Sequence, residues 1–294
     1  MGFTGLARWV NAPPTGLSLV RDNLLLNHNA AYRGKWHIVL KSYRSTIGQS
    51  VPFERTMYTI TMDENVFVNL EDPAAPTRMD VLSAAPPGQE ISWLQNPSHY
   101  RSTFLTVRPP GSLEQLLTQI KAKWVPVRQT SSGNSNNPRS QPLSTAQQLT
   151  VDGHIFGIGT DWIVRIGNVV LAGGAVRGML LEAEYLPLPV LKTPLADGTS
   201  DLLSNLLASI LPLVKDAKTV AVTISDAQWE DVLWDREEEI KSRTETKSEA
   251  QDDDPYSWDN DDVKDWKPND WIGIDRDQRS AYLIMGALRS ESLL

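Results

Sequence analysis

Apolar and polar positions alternate over several short stretches of the chain, the period of a half-buried β-strand. Residues 36–43 (WHIVLKSY) place Trp36, Ile38 and Leu40 on one side and His37, Val39 and Lys41 on the other. Residues 53–62 (FERTMYTITM) and 66–70 (VFVNL) read the same way, with Asp63, Glu64 and Asn65 as the turn of a predicted hairpin. A further strand at 103–107 (TFLTV) is stopped by Pro109, Pro110 and Gly111. Ser112 then caps a helix, with Gln115 three residues on, and Leu113, Leu116, Leu117, Ile120 and Trp124 recur along one helical face.

Three more strands are predicted at 149–158, 162–171 and 176–185, the last pair turned by Gly173 and Gly174. In the third, Met179, Leu181, Ala183 and Tyr185 make a packing face, while Leu180, Glu182 and Glu184 point to water or a partner. A second helix opens at Thr199 and Ser200 and runs through Leu202, Leu203, Leu206, Leu207, Ile210 and Leu211 to Pro212, which ends or kinks it. Residues 275–288 predict a last helix anchored by Tyr282, Met285 and Leu288. The sum is a mainly β protein with flanking helices (α+β): an antiparallel β-barrel or strongly curled sheet with helices packed on it.

Composition narrows what such a fold is for. With 294 residues, 40% of them hydrophobic, the chain can bury a real core. It has no cysteine, which excludes disulfides, thiolate nucleophiles and zinc sites that need sulfur. No stretch approaches the ~18 consecutive apolar residues of a membrane span, so a soluble, intracellular protein is expected. The net charge of −8 is unevenly placed: residues 226–270 hold 17 acidic and 6 basic residues, a net of −11, which leaves the rest at +3. No dense Lys/Arg stripe marks a nucleic-acid surface, so direct sequence-specific nucleic-acid binding is not expected. Residues 129–144 (QTSSGNSNNPRSQPLS) cannot bury enough apolar surface to offset their ordering entropy and are expected to form a flexible loop. The expected organisation is therefore a barrel domain made of 1–225 together with 271–294, interrupted by that loop and by a poorly ordered acidic insertion at 226–270.

Little in the chain invites catalysis. The four histidines, His28, His37, His99 and His154, stand in no paired-ligand spacing, and a structural role is expected of them. There is no GxSxG elbow, and the glycine-rich runs at Gly153 and Gly173 lack a Walker lysine, so turns and bulges account for them. The sharpest enzymatic hint is Glu182 with Glu184, two carboxylates on one strand face, the placement that holds a divalent metal in triphosphate-tunnel hydrolases. Those enzymes follow a Glu-x-Glu-x-Lys pattern, whereas the fifth position here is Leu186. No metal or other cofactor is expected. A barrel that binds a small apolar ligand is a third reading.

The acidic stretch carries Trp229, Trp234, Tyr256, Trp258, Trp266 and Trp271 among its carboxylates. Acid threaded with aromatics suits a segment that docks its rings on a basic, apolar-floored groove of a partner; a poorly ordered insertion with no single partner is the alternative.

Recognition becomes specific over residues 161–187. Asp161-Trp162 leads through Val164-Arg165 to Gly167-Asn168-Val169, a small-residue turn, Arg177-Gly178, and then Glu182, Glu184, Tyr185 and Pro187. This resembles the signature hairpin of the Mediator subunit 20 family, and the order of the surrounding strands and helices is similar over most of the chain. The resemblance implies an antiparallel β-barrel flanked by helices and a nuclear, non-catalytic subunit of the Mediator head module. It also implies pairing with Mediator subunit 18, contact with other head subunits such as subunit 8, and a part in RNA polymerase II initiation. It supplies no catalytic residues. The partner interface is expected at Arg165, Arg177 and Leu180, arginine being common at interface hot spots, with the tryptophans of the acidic insertion as a second docking element.

Overall fold

The structure, a computed structural model, describes residues 3–46, 54–120, 124–127, 148–187, 201–211, 219–222, 274–290 and 293–294. The expected loop at 129–144, the acidic insertion at 226–270 and the helix start at Thr199 and Ser200 lie outside the described residues.

The strands, in chain order, are β1 (Phe3–Trp9), β2 (Ala31–Ser45), β3 (Thr56–Met62), β4 (Asn65–Glu71), β5 (Ser102–Val107), β6 (Trp124–Pro126), β7 (Leu149–Ile158), β8 (Trp162–Val170), β9 (Val176–Tyr185) and β10 (Thr219–Val222). The helices are α1 (Gly16–Asn27), α2 (Arg78–Ala84), α3 (Glu90–Leu94), α4 (Ser112–Gln119), α5 (Asp201–Ile210) and α6 (Ile274–Ser290). All strands join one antiparallel sheet in the order β10-β1-β9-β8-β7-β2-β3-β4-β5, with β6 attached to the far end of β2. Among the described residues this path does not close. The curled sheet expected from the alternation is therefore what forms, and the closed barrel is not.

Alternation sorts the side chains to two faces, and each face has its own helices. On the outer face, Trp9 and Ala7 of β1, Val164 and Ile166 of β8, and Met179, Leu181 and Ala183 of β9 pack with Val20 and Leu24 of α1 and Leu203, Leu207 and Ile210 of α5. Further round the same face, Met57, Val66 and Val68 pack with Leu113 of α4. On the inner face, Leu6, Ile38, Leu40, Ile60, Phe67, Val151, Val169 and Leu180 converge on Ala281, Leu283, Ile284, Met285, Ala287 and Leu288 of α6. Because α6 packs against β1 and β10 as well as β3 and β4, strands from both halves of the sheet, the sheet is wrapped around this helix. From Ala281 to Leu288 every residue except Tyr282 and Gly286 is buried, so this part of the helix is surrounded by protein.

Two glycines make the wrap possible. Gly153 and Gly167 face each other across β7 and β8, and a Cβ on Gly153 would stand 1.8 Å from the Ile166 carbonyl oxygen. Only a strand pair without side chains at this point approaches so closely.

Most predicted strands stand within a few residues of their expected ends, and the turns at Asp63 and at Gly173 and Gly174 form as expected. The helix after β5 departs from expectation at both ends. Gly111, with φ +93°, occupies the N-cap, and Ser112 is the first helical residue and caps nothing. The helix stops at Gln119, and Trp124 belongs to β6, paired with Ser45, rather than to the helical face.

Candidate functional site

The inner face of β8 and β9 carries charge at the depth where core is expected. Glu182 and Glu184 lie two residues apart on β9, and Arg165 of β8 stands in register with Glu182. Their exposures are 1%, 3% and 8%, so all three are buried. Arg165 Nη1 donates to Glu182 Oε1 at 2.9 Å, and its Nη1 and Nη2 both donate to Glu184 Oε2 at 3.1 Å. From α6, Arg276 Nη1 donates to the same Glu184 oxygen at 2.8 Å, and Ser280 Oγ donates to Glu182 Oε2 at 2.8 Å. Arg276 also pairs with Asp277. Burial works against the charge on Arg276, but Glu184, Glu182 and Asp277 outweigh it and push its pKa up, so the guanidinium stays charged.

The arrangement is a charge-balanced lock, two glutamates from the sheet held by one arginine of the sheet and one of the helix. Buried charge persists only when paired and hydrogen-bonded, and bidentate guanidinium geometry suits that need. A cavity of about 120 Å³ opens beside it, lined among others by Lys35, Trp36, Met62, Asp63, Arg165, Arg276 and Ser280.

A larger, more open cavity of about 500 Å³ lies at the other end of the sheet, between the segment after β4 and the segment before β5. Its floor is Asp72, which is buried and accepts from Arg55 Nε at 2.7 Å, His99 Nε2 at 2.8 Å and the Ala74 N–H at 3.1 Å. Burial alone raises the Asp72 pKa; the bond from His99, the Ala74 N–H and the Arg55 charge together reverse this and hold the carboxyl below the usual range.

The structure gathers some of the residues singled out in the sequence and separates others. Leu180, Glu182 and Glu184, expected to meet water or a partner, face inward instead: Leu180 is wholly buried beside α6, because the charged partner that makes a Glu-x-Glu face tolerable inside comes from a helix far along the chain. Leu180 therefore has no surface to offer a partner, and Arg165 spends its guanidinium on the two glutamates. Arg177 is exposed. Trp229, Trp234, Trp258, Trp266 and Trp271 lie outside the described residues. Arg276 and Ser280 were missed by sequence reasoning, although their spacing of four residues, one face of a helix, was the available signal. The histidines take structural positions: His37 pairs with Asp152, His99 with Asp72, and His154 meets Tyr32 and Phe156 edge-on. Among the described residues no three histidine, aspartate or glutamate side chains come together as a metal-holding group.

The fold is a curled antiparallel sheet around an internal helix. The family described as TATA-binding related factor (TRF) of subunit 20 of Mediator complex matches residues 17–229, most of the chain, and the chain belongs to that family. No curated protein matches it in sequence. Among solved structures, a Pyrococcus horikoshii protein shares 9% identity, covering 71% of this chain and 88% of its own, with a TM-score of 0.32. A Hippeastrum protein with a dominant triphosphatase activity shares 10% identity, covering 81% and 99%, with a TM-score of 0.32. The Mimivirus capping enzyme triphosphatase shares 7%, covering 72% and 89%, with a TM-score of 0.26. Overlaps this loose carry nothing about activity.

Both clusters make measurable predictions. Glu184→Gln leaves Arg165 and Arg276 short of a counter-charge in the interior and costs about 3–5 kcal/mol of folding stability, measured as a lower urea midpoint. Arg177→Ala, on the surface, shifts it by no more than about 0.5 kcal/mol. Asp72, with its pKa lowered on folding, contributes stability that is full above the unfolded value near ~4 and fades as pH falls through the folded one. Asp72→Asn is therefore less stable than the parent at pH 7, and the gap in melting temperature narrows as the pH is taken down to 3. A gap constant across that range would show that the carboxylate contributes nothing through its charge.

Proposed function

We propose that this chain is a non-catalytic subunit of the Mediator head module that pairs with Mediator subunit 18, contacts other head subunits such as subunit 8, and helps relay regulatory signals to RNA polymerase II at initiation in the nucleus. The family match over residues 17–229 is the observation that carries this reading. The interior supports it: α6 occupies the space enclosed by the sheet, and the arginines and Ser280 hold the glutamates that a metal would need. A scaffold whose lumen is largely occupied by a helix has its outer surface left for work, and the exposed Arg177 is a candidate contact there. The acidic segment at 226–270, with Trp229, Trp234, Trp258, Trp266 and Trp271, is the second candidate contact, its carboxylates suiting a basic partner and its rings an apolar floor.

One observation favours the hydrolase alternative: Glu182 and Glu184 do point into the lumen, as metal-assisted triphosphate hydrolysis requires. Against it stand the two guanidiniums already on those carboxylates and the leucine at position 186. Phosphate release from inorganic triphosphate with magnesium or manganese separates the two. The expected rate is that of buffer alone, and turnover lost in Glu182→Gln would establish the hydrolase.

Co-expression of the full chain with subunit 18 from the same organism is expected to yield a one-to-one complex on size exclusion. Separate elution of the two proteins at micromolar concentration would end the pairing proposal.

A further inference from the structure

Among the described residues, strand β5 ends the sheet, and within its own span it carries none of the usual defences. Among the described residues it pairs with β4 on one side, and the sheet path stops there. Its six residues, STFLTV, include no charge, no proline and no glycine, and none of them is fully buried. Leu105 is 48% exposed on the outer face, while Phe104 on the inner face stacks on Phe67 and meets Tyr282 edge-on, which anchors the strand. Natural sheets protect an open edge with lysine, proline or a bulge, since its unpaired N–H and C=O groups template another strand. An edge rich in β-branched residues and unpaired among the described residues is suited to pairing.

The flanking charges say with what. Arg101 and Arg108 bracket the strand and both are exposed. Arg101 reaches Asp80 only at 3.7 Å, and Arg108 donates to the neutral amide of Asn65. In an antiparallel pairing of two copies of β5 about its centre, Arg101 of each would face Arg108 of the other at both ends, which is unfavourable. A strand with acidic residues at those two positions gains what a second copy loses.

We propose that the free edge of β5 binds an extended segment of another protein by strand addition, the segment having an uncharged, alternating apolar centre and an acidic residue at each end. This gives the chemistry of one contact in the assembly proposed above and rests on that reading for its setting. Main-chain hydrogen bonds to alternate residues of β5 supply the affinity, Leu105 and Phe104 offer apolar flanks, and Arg101 and Arg108 set the register.

The test uses the full chain and a blocked eight-residue peptide, Glu-Thr-Val-Thr-Val-Thr-Val-Glu, labelled for fluorescence anisotropy. Binding is expected to slow hydrogen exchange at the amides of 102–107 and to weaken by at least about tenfold when both glutamates are replaced by lysine. It is also expected to vanish when alternate peptide nitrogens on the bonding edge are methylated and to survive methylation of the other set. Arg101→Glu with Arg108→Glu reverses the preference between the acidic and basic peptides. No saturable binding, equal binding by both methylated peptides, or protection elsewhere in the chain overturns the proposal. So does a dimer on sedimentation with β5 protected before peptide is added. These outcomes do not depend on subunit 18: a complex that forms with β5 unprotected by peptide sinks the edge proposal alone, and peptide binding without a complex sinks the pairing alone.

Discussion

The grip of the sheet on α6 governs the architecture. A curled sheet that does not close among the described residues leaves an interior too wide for facing side chains to fill, and that interior must be occupied or collapse. Here α6 fills it, with Ile284, Met285, Ala287 and Leu288 against apolar residues of β1, β2, β3, β4, β7, β8 and β9. Burial of each large side chain is worth about 1.5–3 kcal/mol, but apolar contact alone would let the helix slide or rotate. The bonds from Arg276 to Glu184 and from Ser280 to Glu182 fix both its depth and its rotation. Specificity of position is the return on a buried ion network that contributes little net stability.

Burial of β9 on both faces follows from the same arrangement. Met179, Leu181 and Ala183 meet α1 and α5 outside, while Leu180, Glu182 and Glu184 meet the lumen. A strand in this position cannot also be a partner surface. Exposed surface lies instead at Arg177, and at the sheet edge at β5.

The alternation in residues 36–43, 66–70 and 176–185 made the strands legible, because each has one predominantly apolar face and period-2 patterning needs nothing nonlocal to be seen. Three things were not legible, each for a physical reason. The first strand, FTGLARW, places Thr4 and Arg8 beside Leu6 on an inner face that joins the polar part of the lumen, and Gly5 lies against Leu203 on the outer face. The run from Leu113 to Trp124 keeps helical spacing past Gln119, yet pairing with the far end of β2 takes Trp124 into a strand, a tertiary preference that overrides local period. The candidate site was half visible. Glu182 and Glu184 stood out, but a carboxylate facing solvent and one facing a buried arginine leave the same mark in a pattern, and the arginine that decides the matter is 92 residues away.

Two glutamates facing one enclosed space require counter-charge, and the kind of counter-charge determines what that space can do. A divalent metal leaves coordination positions open for a substrate oxygen and makes the pair chemical. Guanidiniums are covalently part of the chain, cannot leave, and end in N–H groups that point at the carboxylates, so they make the pair mechanical. In this chain the second guanidinium arrives on the helix that fills the lumen, so neutralising the acids and filling the cavity are one event. The pair itself does not decide between these two uses; in this chain the residue brought to it by the helix is Arg276.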